Sequence, residues 1–63
     1  MLKYYKNINA TSCYYKLEGN CIWMRYAPFN WFLTTMLIET LELRIKQGRI
    51  IEITEEELFD ALL

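Results

Sequence analysis

The 63-residue sequence predicts a small α+β domain occupying 1–63: an antiparallel sheet of three to five strands, one amphipathic helix over about 36–47 and a short C-terminal helix over about 55–62. Three observations predict it. Two aromatic, β-favouring runs flank Gly19-Asn20, a pair suited to closing a two-residue hairpin. Apolar residues then recur with a helical period after Met36. Finally, Thr54 stands three residues before Glu57, the spacing of a helix capping box.

The first element, Leu2 to Ile8, alternates bulky residues with lysines and reads as an edge strand; Asn7, Asn9 and Ser12 mark the turn after it. A hairpin closing at Gly19-Asn20 pairs positions whose numbers differ symmetrically about that turn. Tyr15 then faces Met24, Leu17 faces Ile22 and Cys13 faces Tyr26, an apolar set suited to the core. The reverse side pairs Tyr14 with Arg25, Lys16 with Trp23 and Glu18 with Cys21. Two of these pairs set a cation beside a ring, worth about 0.5–1 kcal/mol each where exposed. Cys13 and Cys21 fall on opposite faces, so the register excludes a disulfide between them.

Ala27-Pro28-Phe29 reads as a turn. Asn30 to Met36 fits either a strand or an early start to the helix; Trp31, Phe32 and Thr34-Thr35 favour a strand, in which only one of the two rings faces inward. In the helix that follows, Leu37, Ile38, Leu41 and Ile45 form the buried stripe, while Glu39, Glu42 and Lys46 face solvent. Gly48 stands where a left-handed terminator belongs. Arg49 to Ile53 gives a short strand with Ile51 and Ile53 on one side. In the last helix Ile53 and Leu58 supply the hydrophobic staple, and Glu55 and Glu56 sit at the positive end of its dipole.

Composition narrows the chemistry. Histidine is absent, which removes the commonest general base and metal ligand. Ser12 is the single serine, the two cysteines do not form a C-x-x-C pair, and neither glycine lies in a phosphate-binding loop. The expectation is a protein without catalytic residues, metal or cofactor. No signal peptide is read, and the stretch 29–38 is too short to cross a bilayer; with free thiols this points to the cytoplasm and away from a membrane. Ten aromatics in so short a chain leave apolar surface in excess, pointing to a homo-oligomer or a protein partner.

Charge is uneven. Up to residue 38, Lys3, Lys6, Lys16 and Arg25 stand against Glu18 alone, whereas the remainder is acidic. The hairpin's outer residues Tyr14, Lys16, Trp23 and Arg25 are therefore the candidate partner-binding set. The same set suits a nucleotide or single-stranded nucleic acid. A weaker candidate is an acidic surface of Glu39, Glu42, Glu52, Glu55, Glu56 and Asp60 that mimics nucleic-acid phosphates.

The lysine- and tyrosine-rich opening, the aromatic hairpin from Tyr14 to Tyr26, the Trp31 segment and the ending Gln47-Gly48-Arg49-Ile50-Ile51-Glu52-Ile53-Thr54-Glu55-Glu56-Glu57-Leu58 resemble short accessory proteins of phages and other mobile elements. That resemblance implies a stoichiometric inhibitor or adaptor acting on a host protein or defence complex in the host cytosol. It assigns no binding residue.

Overall fold

A computed structural model describes residues 2–26 and 29–63; the turn expected at Ala27 and Pro28 lies outside the described residues. Five strands, β1 (Leu2–Asn7), β2 (Cys13–Glu18), β3 (Cys21–Tyr26), β4 (Phe32–Leu33) and β5 (Ile50–Ile53), form one antiparallel sheet in the order β4-β3-β2-β1-β5. Helix α1 (Ile38–Lys46) lies between β4 and β5 in sequence, and α2 (Glu55–Leu62) ends the chain.

The hairpin register is the one the turn composition predicts, from Cys13 opposite Tyr26 to Glu18 opposite Cys21. Gly19 has φ +61, while Asn20 is not left-handed, the pattern of a type II′ turn. A side chain at Gly19 would meet no neighbour, so backbone conformation alone requires glycine there.

Directly opposed residues share a face, so the pairings sort the sheet into two sides. The front carries Tyr5, Cys13, Tyr15, Ile22 and Ile50, all buried, with Leu41 of α1 packed on them. Leu17, Met24, Met36, Ile38 and Ile45 complete this core. The back carries Ile53, buried, and α2 lies on that side with Leu58 buried.

Three expectations are corrected. Leu2–Asn7 is not an edge strand but lies between β2 and β5, because the late strand returns antiparallel beside it. The stretch from Asn30 to Met36 is a strand only at Phe32–Leu33, and Thr34 makes the last bond to β3. Its backbone N–H (3.0 Å) and hydroxyl (2.7 Å) both donate to the Ile22 carbonyl, and the hydroxyl oxygen accepts from the Met36 N–H at 3.2 Å. This hook turns the chain toward α1. Consequently Leu37 caps the helix from outside it and is 64% exposed, and Met36 packs on the core instead. In β5, Ile51 and Ile53 do share the back, but the anchor is Ile50, wholly buried on the front.

The helix termini follow local rules. Arg49 N–H donates to Arg44 C=O (2.9 Å) and Gly48 N–H to Ile45 C=O (3.0 Å), a full Schellman motif with Gly48 at φ +74. At α2, Thr54 Oγ1 accepts from the Glu57 N–H and Glu57 Oε1 from the Thr54 N–H, both at 3.1 Å. Ile53 and Leu58 flank that box, both buried as a staple requires.

Candidate functional site

The four residues singled out on the hairpin stand together on the back of the sheet, Tyr14 opposite Arg25 and Lys16 opposite Trp23. All four are half-buried rather than free. Over Lys16 lies a ring that the sequence alone does not place there. Trp31, in the segment between β3 and β4, folds over the back, its ring centre 6.5 Å from that of Tyr4.

Lys16 is thereby held by two indoles. Its Nζ lies 4.9 Å from the Trp31 ring centre and 5.4 Å from that of Trp23. Such contacts contribute from about 0.5 kcal/mol when exposed to about 2 kcal/mol when water is excluded. Among the described residues, no equivalent contact joins Arg25 to Tyr14, so one of the two expected cation–ring pairs forms. The Trp23 indole N–H is withdrawn from water and has no hydrogen-bond partner among the described residues, which costs about 1–3 kcal/mol.

Helix α2 borders this platform. Lys6, Tyr14 and Ile53 of the sheet and Glu57, Asp60 and Ala61 of the helix line a groove beside it. Burial raises the Tyr4 phenol above its ordinary pKa, and the nearby carboxylates of Glu55 and Glu18 raise it further. The cationic platform thus has an acidic border.

The six residues of the proposed acidic surface are divided by the sheet. Glu52 lies on the front with Tyr5, whose pKa is raised first by burial and then by the charges of Glu52 and Glu42. Glu39 and Glu42 ride on α1 over that side, whereas Glu55, Glu56 and Asp60 belong to α2 on the back. They do not make one continuous face.

Two further features bear on surface chemistry. Cys13 is buried, Cys21 is exposed, and both are free, on opposite faces as the register requires. Tyr26, expected in the core opposite Cys13, is 39% exposed: α1 lies against β5, on the far side of the sheet from β3. It forms an edge-on cluster with Phe29 and Phe32, ring centres 5.2 and 5.7 Å away. The signal was present in the sequence as rings at 26, 29 and 32 around a turn, but their grouping depends on how the turn folds.

Among the described residues, no group of three or more His, Cys, Asp or Glu side chains is placed to hold a metal ion. No helix of the described residues is long and apolar enough to cross a membrane. Compared with protein-family models, curated proteins and solved structures, the chain matches none.

Proposed function

We propose that this chain is a non-catalytic binding protein, an inhibitor or adaptor that engages a protein target stoichiometrically through the back of the hairpin. The observation that carries this reading is the Lys16 clamp. A cation is fixed between Trp23 and Trp31, beside an indole N–H with no acceptor among the described residues. A small domain has little stability to spare, and an unpaired buried donor reduces it. Rigid rings and a pre-positioned cation, by contrast, are what protein hot spots are made of.

The border chemistry favours a protein over nucleic acid. Glu18, Glu55, Glu57 and Asp60 around the platform would repel a phosphate backbone, while a protein surface can present complementary cations. In keeping with the resemblance to mobile-element accessory proteins, the target would be a host enzyme or defence complex.

The test is capture of a defined host protein at fixed stoichiometry by the wild type and by the double variant Lys16→Gln/Arg25→Gln. The expected result is loss of capture with the melting temperature lowered by only a few degrees. Retained capture by the double variant would overturn the reading. Nuclease-sensitive binding that weakens steeply with salt would instead assign the platform to nucleic acid.

A further inference from the structure

The two open edges of the sheet differ in a way that selects a partner. On β5, alternate backbone groups point outward, those of Ile50 and Glu52, because the bond from Ile8 N–H to Arg49 C=O (3.1 Å) sets the ladder phase. That edge is flanked by the charges of Arg49 and Glu52, a usual protection against strand pairing.

The β4 edge has no such protection. Fifteen of the 63 residues are charged, yet none lies between Arg25 and Glu39. Thr34 bonds to Ile22, so the intervening pair Trp23–Leu33 is a non-bonded one and the Leu33 N–H and C=O point to the open side. Around that edge lie Tyr26 (39% exposed), Phe29 (57%), Phe32 (38%) and Leu33 (56%).

We propose that the β4 edge docks a second copy of this chain. The two β4 strands run antiparallel about a twofold axis at Leu33, so that Leu33 of each copy exchanges both backbone hydrogen bonds with Leu33 of the other. An isologous contact of this kind needs a self-complementary patch, and an uncharged strand with outward groups at one residue provides it. The pairing joins two five-stranded sheets into one of ten strands.

The area is adequate. At about 200 Å² per ring, the exposed parts of the four side chains come to roughly 350 Å² per copy, or roughly 700 Å² for the pair. A standard interface buries about 1,600 Å² in total, of which a little over half is apolar. The patch thus supplies most of the apolar part. A net charge of −1 per chain adds little repulsion.

The proposal does not depend on the Lys16 clamp, and the Lys16→Gln/Arg25→Gln variant should remain dimeric. The test is sedimentation equilibrium from 5 to about 500 µM, the range spanning a micromolar dissociation constant. Wild type should convert from monomer to dimer within it. Leu33→Pro removes the outward donor without touching the β3–β4 bonds, and Phe29→Asp charges the patch outside any strand. Both should stay monomeric through the range, with the far-ultraviolet spectrum of the wild type. Should Leu33→Pro fail to fold, Phe29→Asp decides. A monomeric wild type at 500 µM, a species larger than a dimer, or a dimer that survives Phe29→Asp would overturn the proposal.

Discussion

Truncating two adjacent isoleucines tests which side of β5 faces the main core. Ile50 has no exposed surface and packs in the front cluster with Leu41 and Tyr15, while Ile51 is 39% exposed on the back. Removing a fully buried isoleucine side chain to the β-carbon costs about 2–5 kcal/mol, the lost transfer energy plus the cavity left behind. At roughly 0.05–0.15 kcal/mol per residue, a chain of this length has about 3–9 kcal/mol in total. Ile50→Ala therefore removes from about a fifth of the stability to all of it, and at about 4–8 °C per kcal/mol the melting temperature falls by at least ~8 °C. Ile51→Ala, losing less buried area and leaving no cavity, should cost about 1 kcal/mol. Thermal melts followed by circular dichroism and urea titrations of the two variants measure the difference. If Ile50→Ala leaves too little folded protein, Ile50→Val, at about 0.5–1.5 kcal/mol, replaces it. Equal effects, or a larger loss from Ile51→Ala, would refute the placement of α1 over the front.

Two other perturbations probe the surroundings of that core. Burial raises the Tyr15 phenol above its ordinary value of 10.0, and Tyr4 and Tyr5 are raised by the same cause. Since the folded state then holds these protons more tightly than the unfolded one, the stability they confer is whole below about pH 10 and is lost as pH rises through the folded-state values. Urea midpoints should fall steeply above pH 10, ultraviolet titration should show late-ionising phenols, and Tyr15→Phe should flatten the fall; an unchanged slope in that variant would contradict it. For the thiols, an aromatic disulfide reagent should modify Cys21 at once and Cys13, 5% exposed with its Sγ 3.6 Å from the Tyr15 hydroxyl, only when the fold opens. Two fast equivalents would show that the front core is not closed over Cys13.

Sequence was a sufficient guide where local chemistry decides. The Gly19-Asn20 turn sets the pairing of β2 with β3, and Thr54 with Glu57 begins α2, because each is specified by residues within a few positions of one another. It was a poor guide where distant segments compete. The lysines of Leu2–Asn7 suit an edge, yet β5 adds to that side: Lys6 stays exposed on the back while its backbone is paired. Residues 30–36 have strand composition, but the strand ends after two residues, where the Thr34 N–H and hydroxyl both donate to the Ile22 carbonyl and the chain turns toward α1. The four hairpin candidates were placed on the correct face, and the lid of Trp31 over Lys16 was not legible because it depends on a tertiary fold-back. Nor could spacing alone reveal that α1 and α2 would take opposite sides and separate the glutamates.

The strand order sets a timetable for folding. β1 is made well before β5, yet the two are neighbours. Until residue 50 leaves the ribosome, the β1–β2–β3 meander has a bare flank at β1, and Tyr5 and Tyr15 lack their Ile50 cover. Closure by β5 is thus the step that completes the sheet, and a product ending before Ile50 would present its interior strand to any neighbour with an unpaired edge.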